Sequence, residues 1–212
     1  MNHQDQMEPS EDENELLHML AQALSQGVEK GLELLEQELL RQPHNWQLHY
    51  HKSVFLIGFQ RRYEEGLKAI DQALQMDWQG KQSLYEQLLY YKGQALQGLE
   101  RYEEALQMYD QALEVKEDNV TFYAKGKTLC QLRRYEEALQ AAEESLAILE
   151  LADTWSLKGQ ALAGLRRYKA AITAYEKALH LDPQNEEASN GKKEALRALS
   201  SLSPRNKPEK NK

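Results

Sequence analysis

The chain has one cysteine, Cys130, in 212 residues. No internal disulfide can form, so the core alone must hold the fold, and a reducing compartment is expected. Glycine and proline are sparse, at 11 and 5, which leaves little material for tight turns or long loops. Positive charge is also short: 26 Lys and Arg face 34 Asp and Glu, a formal charge of −8. A generic nucleic-acid binder carries a basic face, so nucleic acid is not expected as the main partner. No run of about 18 apolar residues occurs, so no membrane span is expected. The opening stretch, MNHQDQMEPSEDEN, is acidic without an apolar core, unlike a signal peptide. The expected location is cytoplasmic.

What fills the chain is helix formers: Leu, Ala, Glu, Gln, Lys and Arg. It also repeats itself. LRRYEEAL at 132–139 returns as LERYEEAL at 99–106, LRRYKAAI at 165–172 and QRRYEEGL at 60–67. Gly93, Gly126 and Gly159 stand 33 apart, each preceded by lysine (Lys92, Lys125, Lys158). Each is followed by Leu (Leu96, Leu129, Leu162), then Tyr (Tyr102, Tyr135, Tyr168), then Ala (Ala105, Ala138, Ala171), at constant offsets. An upstream copy has Lys52, Ser53 and Leu56, but its tyrosine, Tyr63, comes one residue late, so Gln60 reads as an insertion in the turn. The longer gap from Ser53 to Gly93 points to a second insertion, KQSLY at 81–85.

A period near 34 made of two helices resembles the tetratricopeptide repeat. In residues 152–185, Trp155, Gly159, Ala171, Tyr175, Ala178 and Pro183 fall where that family's pattern wants them. Lys158 stands where the family usually has Leu, and its stem can still cover apolar surface. The resemblance covers roughly 14–200. It implies an all-α, right-handed superhelical solenoid of five helix pairs, at about 14–45, 46–80, 86–118, 119–151 and 152–185. A capping helix at 186–200 would follow, with a disordered acidic tail at 1–13 and a disordered basic tail at 201–212.

The constrained seats have physical readings. A mid-helix glycine costs about 1 kcal/mol against Ala, which is tolerable where two helices cross closely, with Ala105 and Ala138 as small partners. The paired glutamates, such as Glu136 and Glu137, open second helices, where carboxylates meet the positive end of the helix dipole. They read as solvated surface and not as a catalytic pair. In the first pair, Leu17, Leu20, Ala21 and Leu24 are expected inward, in preference to a register that would bury His18 and Gln22.

No constellation of catalytic groups is found, so no enzyme is expected. Cys130 has no neighbouring His in its repeat. His49 and His51 lie about 200° apart on a helix and cannot share a metal, so neither metal nor cofactor is expected. KGQALQG and KGQALAG fall mid-helix and are not phosphate loops.

The resemblance implies that first helices line a concave face. Its exposed seats would be Glu15, His18, Gln22 and Ser25, then Gln47, Tyr50, Val54 and Ile57, then Gln87, Tyr90, Gln94 and Gln97. Val120, Tyr123, Lys127 and Cys130 follow, and then Asp153, Ser156, Gln160 and Ala163. Tyr50, Tyr90 and Tyr123 share one seat, and the fifth pair has Ser156 there, so the repeat itself does not demand tyrosine. A rigid aromatic with a polar tip suits a binding face. The Lys, Asn and Arg clamp that some relatives use for a C-terminal carboxylate is missing, with Lys127 alone. The expected function is protein–protein or protein–peptide interaction, as an adaptor or assembly factor that captures a partner segment. The alternative is a self-associating scaffold, a homo-oligomer using a convex or end face, with Trp78, Leu84 and Tyr85 as the suspect patch.

Overall fold

A computed structural model describes residues 18–23, 25–75 and 82–202, with side chains from 84 onward in the last stretch. The expected acidic tail, residues 203–212 of the expected basic tail, Glu15, Leu17, Leu24 and Trp78 lie outside the described residues, while Ser201 and Leu202, expected in the disordered tail, form the end of the last helix. Every regular element among those described is helical. The backbone groups into two compact units, one ending at Gly80 and the other beginning at Lys81.

The first unit holds a helical segment at 18–23, then α1 (Val28–Arg41), α2 (Trp46–Val54) and α3 (Tyr63–Leu74). Leu20, Leu32, Leu35, Leu48, Phe55 and Leu56 form its core. Leu20 is inward and His18 and Gln22 are exposed, in line with the preferred register, but Ala21 is exposed as well. That small side chain has nothing to gain by displacing Met19, which packs against the core in its place.

The late tyrosine of this unit has a different cause from the one expected. The extra residue lies in a π-helical turn, Phe55–Phe59, that extends α2, and not in the interhelical turn at Gln60. A single residue inserted into a helix is absorbed by widening one turn. The turn itself keeps the geometry of its counterparts, with Arg61 in left-handed conformation at φ 54°.

The second unit contains α4 (Gln82–Gly98), α5 (Tyr102–Val115), α6 (Asn119–Gln131), α7 (Tyr135–Ile148), α8 (Ala152–Gly164), α9 (Tyr168–Leu181) and α10 (Glu186–Leu202). Four of the five residues at 81–85 are drawn into α4, so this insertion lengthens a first helix. Consecutive helices pack as antiparallel pairs. The first helices also touch one another in series, α4 with α6, α6 with α8 and α8 with α10.

The repeated eight-residue block builds one turn three times over in this unit. Glu100, Arg133 and Arg166 adopt φ of 59°, 57° and 60°. The next amide, of Arg101, Arg134 or Arg167, donates to the carbonyl of Leu96, Leu129 or Leu162 at 2.8–2.9 Å. This is the Schellman closure of a helix end. The same arginine then closes the start of the next helix. Arg101 grips Glu104 through two hydrogen bonds at 2.7 and 2.6 Å, as Arg134 grips Glu137 and Arg62 grips Glu65. The second glutamate of each pair therefore has an arginine partner as well as the helix dipole. In LRRYKAAI the matching seat is Ala170, and the fork is lost.

The marker glycines make room for rings more than for a helix backbone. A Cβ on Gly93 would meet the Tyr109 ring at 2.5 Å, and one on Gly159 the Tyr175 ring at 2.6 Å. At Gly126, where the ring's seat holds Ala142, the first neighbour is Leu157 Cδ2 at 2.8 Å, from the next pair. There a backbone atom of the partner helix, the Ala138 carbonyl oxygen, is among the nearest neighbours, at 3.5 Å.

Candidate functional site

Short polar caps fix where α2, α6 and α10 begin, whereas α8 starts after Leu151 without a side-chain cap. Asn45 accepts from the amides of Gln47 and Leu48, Asp118 from those of Val120 and Thr121, and Asn185 from that of Ala188. Helices started this way bring the same positions to the same face at each repeat.

In the second unit, that face carries Gln87, Tyr90, Gln94 and Gln97 from α4, Tyr123 and Lys127 from α6, and Gln160 from α8. Gln160 is exposed and the others are partly buried. The residues interlock. Gln94 Nε2 donates to the Tyr90 hydroxyl at 2.6 Å, and the Tyr90 ring lies 6.1 Å from that of Tyr109 behind it. The Tyr109 hydroxyl donates to Gln97 Oε1 at 3.0 Å. Lys127 Nζ sits 5.6 Å from the centre of the Tyr123 ring. Burial, with Tyr91 and Asp118 nearby, pushes the Tyr90 hydroxyl up to about 12. Burial, then the charges of Asp153 and Glu187, push that of Tyr123 higher still. Tyr90, Tyr123 and carboxylates from α8 and α10 thus share one surface.

Within the first unit, Gln47, Tyr50 and Val54 are each partly buried, and Tyr50 meets His51 edge-on at 5.1 Å. His49 turns the other way, with Nε2 on the Pro43 carbonyl at 2.9 Å.

Three seats expected to be exposed are not. Ile57, Cys130 and Ser156 are all buried. Ile57 is drawn in by the π turn and covers Gly66. Cys130 joins the core of Leu106, Leu129 and Leu157, where burial pushes its thiol up to about 11. Among the described residues no group of three or more His, Cys, Asp or Glu side chains converges on a metal position, and no helix is long and apolar enough to cross a membrane.

Two further residues on this surface escaped the reading from sequence. Glu86 is 6% exposed. Asp118 spends one oxygen on its cap, and the other, Oδ2, is buried without a partner. Both stand just before the regular groove seats, so a search by repeat offset passes over them.

Two tetratricopeptide repeat models match, one at residues 58–120 and 90–153 and another at 152–185. The chain belongs to the tetratricopeptide repeat family. No curated protein matches it. Among solved structures, it is similar to a C-terminal part of a tetratricopeptide repeat-containing protein of Cytophaga hutchinsonii, at 14% identity and TM-score 0.72, covering 91% of this chain and 73% of that one. It is also similar to YrrB, described as a tetratricopeptide repeat protein with an unusual peptide-binding site, at 22% identity and TM-score 0.65, covering 82% and 88%. The first repeat domain of Spaghetti, bound to the HSP90 peptide SRMEEVD, aligns at 23% identity and TM-score 0.53 over 55% and 94%. These likenesses are of fold. A tetratricopeptide repeat array is a protein–protein interaction module, and the all-α repeat architecture here is that of the family.

Proposed function

We propose that this tetratricopeptide repeat protein is an adaptor or assembly factor that captures a partner segment on the face formed by its first helices. The observation that carries the reading is the pairing of Tyr90 and Tyr123. They occupy one seat on α4 and α6, neighbouring helices in direct contact. Both are partly exposed, and Gln94 and Lys127 stand beside them. Two rigid aromatics with polar tips, one repeat apart, suit an extended segment that presents side chains in sequence. Tyr50 would serve the same purpose in the first unit. That Spaghetti and YrrB bind peptides supports capture as a use of the fold.

A photo-crosslinking amino acid at Gln87 tests this, with one at Glu103 on α5 as control. Groove capture predicts a distinct crosslinked protein at position 87 and none at 103, identified by mass spectrometry. Crosslinks at 103 alone, or to a second copy of the chain alone, would favour the self-associating scaffold.

A further inference from the structure

Glu86 is an expensive residue as the structure leaves it. A glutamate that is only 6% exposed as a residue is usually paired or hydrogen-bonded. Among the described residues it has neither a hydrogen bond nor an ion pair. Its surroundings add to the cost, since burial and then the charge of Asp118 push its carboxyl up, with Lys116 only partly opposing. Asp118 itself keeps Oδ2 buried and unpartnered. Glu86 on α4 and Asp118 at the start of α6, two helices in contact, therefore lie near enough for their charges to act on each other, both with unused acceptor capacity, and Asp118 acts on the Tyr90 hydroxyl as well.

A second acidic pair lies further along the same surface. Asp153 on α8 and Glu187 on α10 are exposed and close enough to Tyr123 to act on its hydroxyl. Asp153 Oδ1 accepts from Asn185 Nδ2 at 2.8 Å, which holds that carboxylate in place. The groove thus presents four carboxylates beside two aromatic faces, against one groove lysine, Lys127, and Lys116 at its edge. An acidic segment would be repelled here. A cation would regain the pairing that Glu86 and Asp118 lack and would also lie against tyrosine faces. The chain uses that second contact internally, with Lys177 Nζ 4.1 Å from the centre of the Trp155 ring.

We propose that this face takes a cationic segment of a partner protein, with one basic side chain between Glu86 and Asp118 beside Tyr90 and another between Asp153 and Glu187 beside Tyr123. The proposal rests on the groove-capture reading and gives the captured segment its chemistry. It is the reverse of SRMEEVD, the predominantly acidic peptide held by Spaghetti.

The probe is a set of three fluorescein-labelled peptides of equal length, alternating alanine with arginine, glutamine or glutamate, titrated with the full chain by fluorescence anisotropy. The arginine peptide should bind, more weakly as salt rises, and the other two should not bind at the same concentrations. Glu86→Gln with Asp118→Asn should weaken binding by about tenfold or more. Glutamine keeps the shape and asparagine keeps the cap, so circular dichroism should not change. Glu103→Gln with Glu136→Gln removes the same charge from second helices and should leave affinity unchanged. The cationic proposal is overturned if the arginine peptide does not bind, or if the control pair loses as much as the groove pair. Binding of the glutamine or glutamate peptide that Tyr123→Ala abolishes would overturn it too, while leaving groove capture standing. Peptide binding that neither Tyr123→Ala nor the groove pair weakens would overturn both.

Discussion

Lys125 on α6 places its Nζ 2.7 Å from the Asp110 carboxylate on α5, fifteen residues back. The relationship recurs at Lys52 with Glu36, Lys158 with Glu143 and Lys192 with Glu176. This explains the lysine in a seat where the family usually has leucine: its stem lies along the neighbouring helix and its charge reaches an acid on the preceding pair. The lysine side chains are about a quarter exposed and the acids about half, so each pair is well screened. Lys125→Met, which keeps the stem, should cost no more than about 1 kcal/mol, and the difference from parent in urea unfolding should shrink at high salt.

The marker glycines should not respond alike. Gly93→Ala puts a methyl group 2.5 Å from the Tyr109 ring, which is fully buried and has no room to move. A loss of about 1–3 kcal/mol is expected from such overpacking. At Gly126 the obstacle is the tip of Leu157, which can turn aside, and alanine regains about 1 kcal/mol of helix propensity. Gly126→Ala should therefore unfold close to parent, whereas Gly126→Leu should lose stability as Gly93→Ala does. Thermal unfolding of the three variants checks the order.

Glu100 sits at φ 59° in the turn between α4 and α5, with its side chain exposed. A residue with a Cβ pays about 1–2 kcal/mol for that conformation. Glu100→Gly should raise the melting temperature even though it deletes a side chain.

Tyr90 and Tyr123 should separate binding from stability to different degrees. Tyr90 leans on Tyr109 and receives a hydrogen bond from Gln94, so Tyr90→Ala should cost stability as well as partner capture. Tyr123→Ala leaves a shallower gap at the edge of the core and is the cleaner probe. A loss in affinity corresponding to about 2 kcal/mol is expected where a tyrosine is a binding hot spot, with the melting temperature nearly unmoved. Equal losses of stability in the two variants would mark both as packing residues.

Cys130 should resist alkylation by iodoacetamide at pH 8 in the folded chain and react quickly in urea, because the thiolate is the nucleophile and burial holds the thiol up at about 11. The sign for stability follows. The unfolded thiol loses its proton near pH 9 while the folded one keeps it, so stability falls between about pH 9 and 11. Cys130→Ser should lack that part of the alkaline loss.

The array was legible because each repeat writes its turn in the same residues: Arg134 and Glu137 recur as Arg101 and Glu104. Insertions were harder to place. The extra residue near Gln60 registers only as a count, and whether a turn or a helix absorbs it depends on backbone geometry that no single side chain announces. Counting by repeat offset places equivalent first-helix positions on one face of the second unit. Exposure was misjudged at Ile57, Cys130 and Ser156, all buried, Ile57 over Gly66 and Cys130 in the core with Leu106, Leu129 and Leu157. Glu86 and Asp118 were missed for a related reason: their interest lies in lacking partners, which is a property of what surrounds them and not of their place in the repeat.

Counting eight residues from the helix cap leads to Gly126 in α6 and Gly159 in α8, but in α10 it leads to Lys193, which is exposed. The lysine one seat earlier, Lys192, still reaches back to Glu176 as its counterparts do. So α10 looks backward like any first helix, yet a tyrosine-bearing second helix could not close on it as α9 closes on Gly159. A Cβ-free seat is what lets the Tyr175 ring lie on Gly159, so Lys193→Gly would give α10 the same closing face that α8 offers α9.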